Sequence, residues 1–196
     1  MDFFGNIFQI AIMAIFINNF ILTKFLGLCP YLGVSKKLDA AFGMGMAVIF
    51  TMTLASAITW VINAYLLLPF DLVFLKTIAF ILTIASIVQF IETALQKLTP
   101  QLYNQLGIFL PLLTTNCAVM GVALININEK NYGFLDSILN GFFSGVGYAL
   151  VLLLMAGIRE KLDREDVPNS MKGMPIALVV AGCMALAFLG FSGMKI

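Results

Sequence analysis

The chain has 196 residues, 61% of them hydrophobic and only 11% charged, against about 45–50% apolar and about 25% charged in soluble domains. Eleven basic and ten acidic side chains cannot form a polar shell around a globule of this size, so a soluble fold is excluded and the surface must face lipid. The net charge of +1 and the absence of His argue against nucleic-acid binding, a His-ligated metal and imidazole acid–base catalysis, and three Cys do not make a disulfide framework.

Six stretches are apolar over the roughly 20 residues that a helix needs to cross a hydrocarbon core. In chain order they are Phe3 to Leu22, Ala40 to Leu66, Leu72 to Ile91, Leu102 to Leu124, Ser137 to Ile158 and Met174 to Phe191. Their interiors are apolar all round, without the alternation of a barrel strand, so the expected fold is an all-α, multi-pass integral membrane protein. The first stretch is expected to be retained rather than cleaved, because Asp2 stands where a signal peptide has a basic segment. Lys24, Lys36, Lys37, Lys97, Arg159, Lys161, Arg164 and Lys172 fall in the odd-numbered loops, whereas the other side holds Lys76, Lys130 and Lys195. The positive-inside bias places the odd loops in the cytoplasm and both termini on the outer, periplasmic side. The segment from Arg159 to Asp166 mixes both signs and reads as a solvated connector or docking surface.

An internal repeat is visible. At an offset of 88, Cys29-x-x-x-Gly33-Val34 falls on Cys117-x-x-x-Gly121-Val122, and at an offset of 102, Gly43-x-Gly45 falls on Gly145-x-Gly147. Each half thus reads as a cysteine motif, a Gly-x-Gly helix and a further apolar helix, giving three-helix repeats over 1–98 and 99–196 within one membrane domain. With three spans per half the repeats are inverted, an arrangement that places its working site near the midplane on interrupted helices. The first and fourth helices are expected to be the interrupted ones. Gly27, Gly33 and Pro30 flank Cys29, Pro30 biases Cys29 away from helical geometry, and Pro111, Thr114, Thr115 and Asn116 precede Cys117. The Gly-x-Gly pairs lie inside apolar spans and read as close helix packing rather than phosphate loops.

A lone Cys in a membrane helix is ordinarily a small packing residue, the reading taken for Cys183. Cys29 and Cys117 differ, because matching points of an inverted repeat can meet near the pseudo-symmetry axis. Two thiolates are half of a four-ligand metal site, so the other two would come from another polypeptide.

The runs Asn18-Asn19-Phe20, Leu22-Thr23-Lys24-Phe25-Leu26-Gly27-Leu28-Cys29-Pro30 and Gly33-Val34-Ser35-Lys36-Lys37 resemble the A subunit of Rnf complexes, the ion-translocating ferredoxin:NAD oxidoreductases. Leu106-Gly107-Ile108-Phe109-Leu110-Pro111-Leu112, Thr115-Asn116-Cys117-Ala118-Val119, Ile158-Arg159-Glu160-Lys161, Asp166-Val167-Pro168 and Gly190-Phe191-Ser192-Gly193 carry the resemblance over nearly the whole chain. The chain is also similar to the E subunit of sodium-pumping NADH:quinone oxidoreductases, with Lys24 and Leu28-Cys29-Pro30 closer to the Rnf version. The resemblance implies a bacterial inner-membrane subunit, non-catalytic alone, that relays electrons between ferredoxin and NAD while the complex moves Na⁺ or H⁺. It implies a homologous partner of opposite topology, the Rnf E subunit, with the Rnf B, C, D and G subunits beside them, and a [2Fe-2S] cluster shared between the pair. By position the ligands are Cys29 and Cys117, and no flavin belongs to this chain. Gly27, Thr115 and Asn116 are the expected neighbours of the cluster, through backbone N–H groups and the Asn116 amide.

Polar residues at membrane depth are functional candidates. Asn18, Asn19, Lys24 and Glu92 are the candidates for an ion path, Glu92 being the carboxylate expected near the membrane while Asp71, Glu129 and Asp136 fall in outer loops. Asn63 and Gln89 are the other polar groups at that depth. The bland readings are helix bridging by Asn18 and Asn19, snorkelling by Lys24 and an interfacial Glu92 beside Lys97. Two other functions fit the same spans: a secondary transporter of a small solute or ion, and a structural membrane anchor for redox partners.

Overall fold

A computed structural model describes residues 2–67, 75–98, 112–113, 115–128, 132–166, 168 and 170–190. Among these residues the secondary structure is helical throughout, with no strand. The helices are α1 (Asp2–Ile12), α2 (Leu28–Val34), α3 (Leu38–Ile62), α4 (Lys76–Leu98), α5 (Cys117–Asn128), α6 (Phe134–Leu162) and α7 (Met174–Leu189), with π-helical turns at Met13–Ile17 after α1 and Asn63–Leu67 after α3.

Three segments are long and apolar enough to cross a bilayer, namely Leu38–Leu66, Lys76–Thr93 and Phe134–Leu162, and three further apolar helices are shorter, Ile7–Ile17, Cys117–Ile127 and Met174–Leu189. At 29 residues, α6 is about 43 Å long. The threonines of these helices satisfy their hydroxyls internally, as lipid requires: Thr51, Thr53, Thr59 and Thr83 donate to the carbonyls of Ala47, Ile49, Ala55 and Ala79 at 2.6–2.8 Å. Large apolar side chains point outward, among them Phe50, Ile78, Leu82, Phe90 and Leu186. Small and polar ones turn inward.

The central pair is α3 against α6. A Cβ on Gly145 would lie 2.8 Å from Ile49 Cα, and one on Gly45 would lie 3.0 Å from Ala149 Cβ. Backbone approach of this kind is how helices associate where no hydrophobic drive separates lipid from protein, and it is the packing role expected of the Gly-x-Gly pairs. Met44, Val48, Met52, Tyr148, Leu152 and Met155 fill the rest of the seam.

Three sequence expectations need adjustment. The first span stops at Ile17 rather than Leu22, because the terminal turn widens to π and Asn18 leaves helical geometry at φ −103°, ψ 44°. The residues that follow are irregular but enclosed: Phe20, Ile21 and Leu22 are buried, as non-helical backbone at membrane depth must be. Asp136 lies in the first turn of α6 rather than in a loop, where a carboxylate complements the helix dipole. Pro30 does not exclude Cys29 from the helix. Cys29 is the second residue of α2 and Pro30 the third, positions whose N–H groups have no intrahelical acceptor in any case. Of the predicted fourth span, 102–111 and 114 lie outside the described residues, as do 72–74 at the start of the third, Phe191 at the end of the sixth, and Asp71 and Glu129.

Candidate functional site

The chain reaches Cys29 through a break. After α1 the backbone is pinned by Asn19, whose side-chain amide donates to Ile15 O (3.1 Å) and to Gly147 O of α6 (3.0 Å) while its oxygen accepts from Ile21 N–H (3.1 Å). Phe25 (φ 54°) and Gly27 (φ 81°) then adopt left-handed conformations, and Gly27 caps α2. Pro30, Tyr31 and Val34 are buried, whereas Cys29 is exposed. The far end of α2 is held by Arg159, which donates to Leu32 O (2.8 Å) and Ser35 Oγ (2.9 Å). A guanidinium there also meets the negative end of the short helix.

Cys117 is reached in a parallel way. The chain is broken at Thr115 and Asn116, and the Asn116 side-chain oxygen accepts from Ala118 N–H at 3.0 Å, an N-cap for α5. Cys117 is the first residue of α5 and is exposed, with its thiol 3.9 Å from Thr115 O. It opens on an apolar groove between α4 and α5 lined by Ile84, Ala85, Met120 and Leu124.

The two segments are pressed together. A Cβ on Gly27 would lie 2.9 Å from Asn116 Oδ1, 3.1 Å from Ala118 Cβ and 2.8 Å from Tyr148 Cε2. Buried Tyr148 donates its hydroxyl to Gly27 O at 3.0 Å, and both Cys29 and Cys117 lie close enough to interact with it electrostatically. Residues 88 positions apart in sequence are thus assembled over one tyrosine, each thiol in the first turn of its helix and exposed. Beside them, Asn116 is 5% exposed; its Nδ2 makes no hydrogen bond of full geometry, though its side chain also interacts with the Tyr148 hydroxyl. An amide donor left without a full hydrogen bond beside two cysteine-bearing turns fits a sulfur-rich group better than it fits a plain packing contact. Among the described residues no three potential metal ligands cluster.

The proposed ion-path residues divide. Asn19 spends its polar atoms on backbone and is a structural staple. Asn18 and Lys24 line a small cavity with Ala14, Phe20, Ile125, Asn140 and Ser144. Glu92 is half-buried on α4 and does not line that cavity. Arg159 departs from the solvated-connector reading: it is 7% exposed because α6 continues past the charged residues and tucks the guanidinium under α2. The exposed Arg164–Glu160 pair at 2.8 Å does behave as a solvated turn. Sequence reading also missed a buried network in which Asn140 donates to Asn126 Oδ1 (2.6 Å) and Asn126 donates to Ser56 Oγ and Ser137 O (3.3 Å each). The signal was present, since Ser56, Asn126 and Asn140 interrupt otherwise apolar runs and such groups rarely stand alone.

Residues 7–195 match a family model described as "Rnf-Nqr subunit, membrane protein". The chain is 56% identical over 187 residues, 95% of its length and 97% of the relative's, to the A subunit of a Na⁺-translocating ferredoxin:NAD⁺ oxidoreductase complex from Acetobacterium woodii. It is 58% identical over 180 residues, 92% of its length and 93% of the relative's, to the A subunit of an ion-translocating oxidoreductase complex from Serratia proteamaculans. A protein of the same description from Photorhabdus laumondii is 54% identical over 187 residues, 95% of this chain and 96% of the relative.

Proposed function

Because the chain belongs to the Rnf-Nqr family of membrane-protein subunits, we propose that it is the electron-relaying membrane subunit of a redox-driven ion-translocating complex, working between ferredoxin and NAD and not catalytic alone. Cys29 and Cys117 supply two of the four ligands of a [2Fe-2S] cluster, and a homologous subunit of opposite topology supplies the others. The observation that carries this reading is the convergence of the two cysteine-bearing turns over Tyr148, with an unpaired Asn116 amide beside them. When bound, the cluster supplies a one-electron stop inside a low-dielectric layer without proton exchange with bulk water.

This chain's residues do the holding. Gly27 lets the two turns touch, Tyr148 ties the first to α6, Asn116 caps the second and keeps a spare amide donor beside it, and Arg159 anchors the far end of α2. The parallel order of break, cysteine helix and Gly-x-Gly helix, seen at α2–α3 and again at α5–α6, supports two inverted repeats over 1–98 and 99–196. The charge bias supports a bacterial inner-membrane location with both termini periplasmic, and the exposed thiols support a partner pressed against this face.

The test is anaerobic purification of the complex carrying Cys29→Ser or Cys117→Ser, followed by iron analysis and electron paramagnetic resonance of the membrane subunits. Each variant should lose the [2Fe-2S] signal, and Cys183→Ser should keep it. Unchanged iron in both would return the two cysteines to packing and favour the anchor reading.

A further inference from the structure

The cavity at the end of α1 is a polar feature that the electron-relay reading leaves unused. It measures ≈ 30 Å³, room for a water molecule or one unhydrated small ion. Its polar lining is Asn18, Lys24, Asn140 and Ser144. Ser144 is 2% exposed and its hydroxyl, aimed into the cavity, has no hydrogen-bond partner. That is unusual for a serine inside a helix, which ordinarily bonds its own preceding turn. Ala14 and Asn18 bring the carboxyl end of the interrupted first helix to the same place. That end carries partial negative charge, and broken-helix carboxyl ends are where membrane proteins coordinate alkali cations.

We propose that this cavity binds one dehydrated monovalent cation of the sodium class through neutral oxygens of Asn18, Asn140 and Ser144. No carboxylate lines it among the described residues, and amides and hydroxyls do not titrate near neutral pH, so these three oxygens favour a metal cation such as Na⁺ over H⁺. Lys24, which lines the same cavity, is the competing cation that must be displaced. The inference rests on the reading that the chain serves an ion-translocating complex, but not on the cluster.

The experiment uses the assembled complex in proteoliposomes and measures the sodium concentration that half-saturates radioactive sodium uptake. Ser144→Ala removes a hydroxyl that makes no bond in the protein, so a purely structural role predicts no change or a slight stabilisation. On the proposal, half-saturation rises about five-fold, as expected for one lost neutral ligand, and in Lys24→Met it falls. Iron content and the paramagnetic signal stay as in the parent. Independently, the parent complex should unfold at a higher temperature in sodium chloride than in choline chloride at equal ionic strength, and Ser144→Ala should reduce that difference. Sodium dependence unchanged in both variants, or no sodium-specific thermal shift in the parent, overturns the proposal and leaves a cavity that holds water only. A Cys29→Ser complex that keeps its iron while Ser144→Ala shifts sodium dependence would sink the cluster reading and leave this one standing.

Discussion

Replacing Gly27 by alanine attacks the joint between the two cysteine segments without touching either thiol. Two costs add. At φ 81° an L side chain is strained by about 1–2 kcal/mol, and the new Cβ would meet Tyr148 Cε2 at 2.8 Å and Asn116 Oδ1 at 2.9 Å, an overpacking cost of about 1–3 kcal/mol. Tyr148 cannot swing away cheaply, being fully buried and bonded to Gly27 O. The sum, about 2–5 kcal/mol, shifts the balance between docked and separated segments by about 30-fold to several-thousand-fold. Complexes carrying Gly27→Ala should therefore assemble with most of their membrane-subunit iron missing, read by iron analysis and paramagnetic resonance. The control is Gly157→Ala, where a Cβ meets nothing within 4 Å and a helix-interior alanine gains about 0.5–1 kcal/mol over glycine. If Gly27→Ala kept full iron and parental turnover, the two turns would not need to touch, and the site as built here would be wrong.

Two further expectations follow from the same geometry. Asn116→Leu removes the unpaired Nδ2 donor but also the cap on Ala118 N–H, so the midpoint potential of the cluster should move downward while Asn116→Asp, which keeps the cap and adds negative charge, moves it at least as far; an unmoved potential in a redox titration rejects the donor role. Arg159→Gln should loosen α2, since each charge-assisted bond lost is worth about 1.5–3 kcal/mol and relief of a buried unpaired cation offsets part of that. Hydrogen exchange of Leu28–Val34 should quicken, Arg159→Lys should restore it only partly because one ammonium lacks the fork that reaches both Leu32 O and Ser35 Oγ, and unaltered exchange would show that α2 is held by its apolar side chains alone.

By itself, the amino-acid sequence determined the class of molecule and marked the candidate site residues. Apolar runs without alternation leave only helices in lipid, and a repeated Cys-x-x-x-Gly-Val picks out Cys29 and Cys117 from three cysteines, because these are properties of local order along the chain. An interruption near Cys29 was also legible, in Gly27, Pro30 and Gly33, but its onset at Asn18 was not. Only the tertiary structure decided which polar groups were spent and which were free. Asn18 and Asn19 are neighbours of the same type, yet one faces a cavity and the other is consumed by Ile15, Ile21 and Gly147. Arg159 sits in a charged run that reads as solvated, and its burial depends on α2 lying over the end of α6. Asn116 becomes a cap with a spare donor, and Ser144 an orphan, only when α1, α5 and α6 close around them. Hydrogen-bond satisfaction is a property of the assembled neighbourhood, which residues far apart in sequence create and no local pattern encodes.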